Sequence, residues 1–265
     1  MAADDLAARV RALRDGVVQP AAPRDATTVL LLRDAPGGPQ AYLLRRVQGM
    51  AFAGGMHVFP GGSVDPDDAD ADLAWTGPSA AEWAHWFSCD ERLARALVCA
   101  AVRETFEESG VLLAGRGPGD LLDDVSTDEW EAERAALEAR QQSLSALLAR
   151  RSLVLRADLL RPLAHWITPA AEPKRFDTRF FLAELPAGQV CREAGSEADA
   201  RVWVRPADAL EQGLQMMPPT SSALAAVRDA LDVATALAAP RTIAPVAPQF
   251  VMDEDDRVVL RLPIS

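Results

Sequence analysis

Arg103-Glu104-Thr105-Phe106-Glu107-Glu108-Ser109-Gly110-Val111 is the stretch that decides how this chain is read. Each residue of an α-helix turns by about 100°, so Glu107 and Glu108 fall within about 60° of Glu104, one on either side. The three carboxylates therefore share one helix face. Cys99, Val102 and Phe106 fall on the opposite face and are expected to be buried against a sheet. Gly110 stands where a helix-terminating glycine belongs. Three like charges on one face repel one another, and a hard divalent cation with a preference for oxygen ligands would turn that repulsion into attraction. A merely solvated acidic face is the competing reading. The surroundings favour the metal: Pro60-Gly61-Gly62 precedes the helix and the apolar Val111-Leu112-Leu113 follows it directly.

Outward from this helix, the pattern predicts strands at 27–33 and 40–46 around the Pro36-Gly37-Gly38 turn, and a short one at 56–59. The acidic, proline-broken 65–78 reads as loop, 79–87 as a short helix, and 91–109 as one uninterrupted helix. Val111–Leu113 reads as a strand. A long helix is expected over 128–150, opened by a capping box of Ser126 and Glu129. Further strands are expected at 163–167, 176–185 and 202–204. An Ala-rich helix follows at 220–238, then a last strand or hairpin containing 258–262. Leu6, Val10 and Leu13 have helical spacing. Strands and helices mix without a regular βαβ alternation, which points to an α+β fold with a mixed sheet.

Composition narrows the function classes. The net charge of −12 argues against a general nucleic-acid binder, which needs clustered cations to neutralise phosphates. Lys174 is the only lysine, so nearly all positive charge is arginine. Cys89, Cys99 and Cys191 form no CxxC pair and are expected as reduced thiols. No apolar run approaches the roughly 20 residues of a membrane span, and no signal peptide is recognisable. A cytoplasmic location away from membranes is the expectation.

Arg103-Glu104-x-x-Glu107-Glu108-x-Gly110-Val111 resembles the second half of the Nudix signature, and Gly62 resembles its opening glycine. The resemblance implies an α/β/α sandwich with helical insertions, and a loop–helix–loop holding catalytic Mg²⁺ or Mn²⁺. It implies one domain over 1–265, with insertions at about 65–90 and 115–160 and a C-terminal helix and tail at about 218–265. Two departures stand out. Gly62 and Arg103 are separated by 103 − 62 = 41 positions, far more than the family's compact box. Eight positions before Arg103, where the family has a glutamate that helps to hold the arginine, this chain has Arg95. Asp65, Asp67, Asp68, Asp90 and Glu91 are the candidate replacements.

His57-Val58-Phe59-Pro60-Gly61-Gly62, the split box, Trp166-Ile167-Thr168-Pro169 and Arg175–Phe181 together resemble a long-insert branch that includes peroxisomal coenzyme A diphosphatases of animals. The resemblance implies metal-dependent hydrolysis of a diphosphate linkage in a small nucleoside diphosphate derivative, with coenzyme A or acyl-coenzyme A in first place. ADP-ribose, a dinucleotide of the NADH type, or nucleotide sensing without cleavage are the alternatives. It implies that Glu104, Glu107 and Glu108 bind metal, that Arg103 orients them, and that Glu197, on the loop before Trp203, acts as base. Asp199 and Glu193 stand nearby as substitutes. Gly61, Gly62 and Gly110 shape the loops.

Arg45 and Arg46 are candidate phosphate ligands, with surface solvation as the competing role. Arg175 and Arg179 flank Asp177 on one side of a strand, either as a phosphate clamp or as a structural ladder. Thr220 is the expected N-cap of a helix whose N-terminus could otherwise meet an anion. The helices around Trp83–Phe87 and Trp130–Leu148 are expected to wall an apolar channel. The Gly55-x-x-x-Phe59-Pro60-Gly61-Gly62 segment fits the end of a coenzyme A motif, although Ala51 stands in the place of that motif's arginine. A homodimer is kept open as the assembly.

Overall fold

Thr27–Leu32 forms the centre of the molecule because it can be buried on both faces. In the computed structural model, which describes residues 3–49, 53–70, 73–193 and 198–262, Val29 and Leu31 point to one side of their strand, and Leu30 and Leu32 to the other. All four are fully buried. A strand covered on both faces needs such a continuous apolar run.

In chain order the elements are α1 (Ala3–Arg14), β1 (Arg24–Arg33), β2 (Gln40–Arg46), β3 (His57–Val58), β4 (Gly61–Ser63), α2 (Pro66–Asp70), β5 (Trp75–Thr76), α3 (Ala80–Phe87), α4 (Glu91–Ser109), β6 (Ala114–Gly115), α5 (Asp128–Glu138) and α6 (Leu144–Arg150). Then come β7 (Val154–Arg156), β8 (Leu160–Ile167), β9 (Phe176–Glu184), β10 (Ala198–Val204), α7 (Pro206–Glu211), α8 (Pro218–Ala225), α9 (Val233–Ala238), β11 (Pro245–Val246), β12 (Gln249–Met252) and β13 (Val258–Arg261). The main sheet runs β10-β2-β1-β9-β8-β11, with β3 on β2 and β4 on β1. β1 pairs in parallel with β9 and antiparallel with β2 and β4, so the sheet is mixed.

Two apolar clusters lie on its two faces. Val29, Leu31, Tyr42, Leu44 and Phe181 pack against residues of α3 to α6. Leu30, Leu32, Leu43, Phe180 and Leu182 pack against residues of α7 to α9. The result is helices, sheet, helices: an α+β sandwich, as expected. Among the described residues no helix is long and apolar enough to cross a membrane.

Several expected elements have other forms. Val111–Leu113 is buried but not a strand: Ser109 Oγ accepts from Val111 N, Leu113 O accepts from Arg156 N, and Gln189 satisfies Leu112 between them. The Gln189 side chain accepts from Leu112 N and donates to Leu112 O. The helix expected over 128–150 breaks into α5 and α6, with Arg140 left-handed at φ 55° and Ser143 capping α6. Its N-cap is Thr127; Ser126 instead donates to Asp124. The helix expected over 220–238 splits into α8 and α9, with Asp232 capping the second. The 65–78 stretch holds α2 and β5 within its loops.

Candidate active site

α4 presents the carboxylates where the sequence places them. Asp90 caps its start by accepting from Leu93 N, and Gly110 ends it at φ 72°. Cys99, Val102 and Phe106 are buried in the core, which leaves Glu104, Glu107 and Glu108 on the side facing a cleft of about 890 Å³. Gly61 and Gly62 line the same cleft. A Cβ at Gly61 would strike the Thr27 carbonyl oxygen and lie 2.7 Å from Thr28 Cα. One at Gly62 would overlap the Glu104 carboxylate, with Cδ at 2.7 Å. These two glycines let β4 close on β1 and on α4 at once, and Gly61 N donates to Glu108 Oε2 at 2.9 Å.

Arg103 is the hub of the site. It is 7% exposed and every arm of its guanidinium is occupied. Nε and Nη2 donate to the two oxygens of Asp68 at 3.0 and 2.9 Å. Nη1 reaches Glu104 Oε1 at 2.9 Å and Glu107 Oε1 at 3.3 Å, and Nη2 also donates to the Ser63 carbonyl at 3.0 Å. Asp68 therefore performs the task of the glutamate that Arg95 displaces; Arg95 itself donates to Leu73 O. The sequence carried a usable signal for Asp68. Asp65-Pro66-Asp67-Asp68 is a helix start with proline in first position, and Asp68 reaches back to accept from Asp65 N at 2.8 Å.

The balance of charge is negative. Burial pushes the Glu104 carboxyl up to about 7, with Arg103 opposing and Glu107 adding to the rise. Burial likewise raises Glu107. Burial disfavours the Arg103 cation, yet Asp68, Glu104 and Glu107 hold it protonated. Three carboxylates thus share one guanidinium, and such a site favours a further cation.

The other expected ligands are divided. Arg46 lines the cleft, whereas Arg45 is paired with Asp199 at 2.7 Å and is not part of its wall. Arg175 and Arg179 are absent from the cleft wall because even-numbered residues of β9 face it. Arg175 donates to the Thr168 and Ala21 carbonyls. Arg179, 4% exposed, pairs with Asp25 and Asp177, which also meets His165. Of the two readings of this ladder, the placement fits the structural one. Glu197 and Ala51 lie outside the described residues.

Thr220 is not a cap. Met217 holds that position, and Pro218 and Pro219 remove the first two N–H groups. Thr220 N and Ser221 N both bond to Met217 O, so this helix end has no main-chain donors left for an anion. Trp83 and Phe87 are core residues stacked with each other and packed on Phe181, and Trp130 packs on Phe106. They wall no channel. The apolar lining comes instead from Trp166, Phe176, Met217, Phe250 and Leu260, with Arg140 and Lys174 as cations the sequence did not single out.

No family model matches the chain. The structure superposes on a crystal structure of a NUDIX hydrolase from Alicyclobacillus acidocaldarius with a TM-score of 0.71 at 30% identity, covering 84% of this chain and 98% of the other. The chain belongs to the Nudix hydrolase family. An acyl-coenzyme A diphosphatase, NUDT19, of Gallus gallus is 28% identical over 251 residues, 74% of this Nudix chain and 65% of the relative. A putative nudix hydrolase 7 of Caenorhabditis elegans is 28% identical over 183 residues, 67% of this chain and 51% of the relative. This Nudix chain thus spans between about half and two thirds of the length of these curated relatives.

Nudix hydrolases act on phosphorus-containing anhydrides and generally use divalent metals. The donor set here fits such an ion by its chemistry: oxygen ligands only, negatively charged in excess, at the floor of a cleft. Among the described residues no three acidic, histidine or cysteine side chains stand ready as a cage. Glu104 and Glu107 accept from Arg103 and Glu108 from Gly61 N, which orients each carboxylate and leaves it further lone pairs for a cation.

Gly62→Ala tests how tightly the loop and Glu104 fit. The Cβ meets the far end of a flexible side chain, so Tm should fall by only a few degrees while kcat/KM drops about 10–100-fold, as for a ligand displaced by ~1 Å. An alanine variant with wild-type kcat/KM would show that the close approach is irrelevant to activity.

Proposed function

We propose that this Nudix protein hydrolyses a diphosphate linkage in a nucleoside diphosphate derivative, with coenzyme A or an acyl-coenzyme A as the leading substrate. The observation that carries the reading is the buried Arg103, which holds Glu104 and Glu107 at the floor of the cleft while Asp68 fixes the arginine from behind. A divalent ion, Mg²⁺ or Mn²⁺, when bound, acidifies water and neutralises phosphate charge. Glu104, Glu107 and Glu108 are the residues that would hold it. Water attacks one phosphorus, and the bridging oxygen leaves with the electron pair of the broken P–O bond. Glu197 is the sequence's candidate to take the proton from the water. Arg103 remains a positioning residue, since its donors are committed to protein oxygens. Arg46, Arg140 and Lys174 line the cleft and supply cations for the substrate phosphates.

Two things favour coenzyme A thioesters. The chicken relative is named for that activity, and the cleft is lined by apolar side chains as well as charged ones. The test is a panel of coenzyme A, acyl-coenzyme A, ADP-ribose and NADH with Mg²⁺ or Mn²⁺, followed by product analysis. Coenzyme A should yield adenosine 3′,5′-bisphosphate and phosphopantetheine together. Far more efficient cleavage of ADP-ribose or NADH would overturn the substrate; no cleavage of any diphosphate would overturn the activity.

A further inference from the structure

The cleft extends well beyond the carboxylates. Ser63 on β4, Ala26 on β1, Thr178 on β9 and Trp166 on β8 form one row across four adjacent strands, and all four line the cleft. Three strand spacings take this row about 14 Å from the Arg103 contact at Ser63 to Trp166. Val246 on β11 continues the row beside Trp166. Three residues later the chain enters β12, where Phe250 pairs directly opposite Leu260 of β13. Both side chains line the cleft, and Leu260 remains 42% exposed.

A two-stranded hairpin is marginally stable alone, and among the described residues this one pairs with no other strand. It is braced from the other end of the chain. α1 packs against both β12 and β13, with Val10 buried, and Arg11 pairs with Asp256 at the hairpin turn at 2.5 Å. An apolar cross-strand pair is thereby held on the wall of the same cleft that the carboxylates line.

We propose that the Phe250–Leu260 pair is the subsite for the acyl chain of a coenzyme A thioester, an inference that rests on the substrate reading above. The lengths agree. With the diphosphate at the carboxylates, a pantetheine arm has a backbone like that of about four extended residues, and so reaches roughly 14 Å. That places the thioester sulfur at the Trp166 end of the row. Whatever is attached to the sulfur lies next to Phe250 and Leu260, neither of which offers it a polar side chain. The hairpin therefore sets acyl preference, while the residues of α4 govern cleavage.

The experiment uses the full chain and S-acyl pantetheines, which carry the arm but no diphosphate. Binding of the acetyl and decanoyl forms is measured by calorimetry, in parallel with hydrolysis of the matching coenzyme A thioesters. In the wild-type protein the decanoyl form should bind about tenfold or more tighter than the acetyl form, as expected for burying a long apolar chain. Phe250→Ala and Leu260→Ala should each remove most of that gain, whereas Val259→Ala, on the other face of the hairpin, should keep it. Leu260→Trp narrows the groove and should turn the preference towards acetyl, which guards against the alanine variants acting by melting the hairpin. A chain-length gain unchanged in all three cleft-facing variants overturns the assignment. So does an equal loss for acetyl and decanoyl. If the gain depends on the hairpin but no coenzyme A thioester is hydrolysed, the substrate reading fails and the acyl subsite stands. If thioesters are hydrolysed without dependence on the hairpin, the subsite fails alone.

Discussion

Glu107→Gln is expected to lower turnover by about 10²–10³-fold or more, comparable with removal of one key electrostatic group from an active site, while leaving the fold intact. Glutamine keeps the shape of the side chain and can still accept from Arg103 Nη1, which now reaches Glu107 Oε1 at 3.3 Å. What disappears is a negative charge. That loss relieves Glu104, whose carboxyl is pushed up by burial and, in addition, by Glu107. Thermal stability should therefore hold or rise as activity collapses, a pairing that loss of a structural residue would not produce. Glu108→Gln should behave in the same way, because its oxygen can still accept from Gly61 N. The measurements are kcat at saturating Mg²⁺ or Mn²⁺ and the melting temperature of each variant. Near wild-type kcat in either one would remove that glutamate from the ligand set.

Asp68→Asn is expected to damage stability and activity together. Asp68 is 3% exposed and holds Arg103 through two hydrogen bonds. Removing one partner of a buried ion pair costs about 3–5 kcal/mol. Glu104 and Glu107 still compensate part of the arginine's charge, so the lower end applies. A loss of about 3 kcal/mol corresponds to a fall in Tm of roughly 6–12 °C for a chain of this size. Arg103 would also be free to swing towards the glutamates, and kcat/KM should drop about 10–100-fold, as for other partners that orient metal ligands. Asp67→Asn, one position earlier and exposed, should be almost silent. Arg103→Lys keeps the charge but cannot reach Asp68, Ser63 and the glutamates simultaneously, so it should resemble Asp68→Asn. An Asp68→Asn protein with wild-type Tm and kcat/KM would refute the assignment of Asp68 as the partner that holds the arginine.

What the sequence by itself determined was whatever repeats locally. The 3.6-residue period placed Glu104, Glu107 and Glu108 on one face of α4 and Cys99, Val102 and Phe106 on the other, and Gly110 marked the helix end. The family followed from the same few residues. Alternation put Arg175, Asp177 and Arg179 on one side of β9 but could not say which side met the cleft, because period two fixes parity and not direction. Only the tertiary structure decided that Asp177 and the buried Arg179 form a ladder with Asp25 and His165, while Arg175 turns to the Thr168 and Ala21 carbonyls. Five acidic residues were candidates to hold Arg103, since pairing across 35 positions leaves no periodic trace and the helix-start pattern at Asp65–Asp68 signals only a local turn. Asp68 takes the role because Pro66 starts α2 at the point where its third turn-forming residue faces the guanidinium. The apolar wall was misplaced for a related reason. Trp83, Phe87 and Trp130 are as apolar as Phe250 and Leu260, and burial in the core or at a cleft depends on what packs against each. β12 and β13 reach the cleft through their pairing with each other and their support from α1, a contact between opposite ends of the chain that no local pattern encodes.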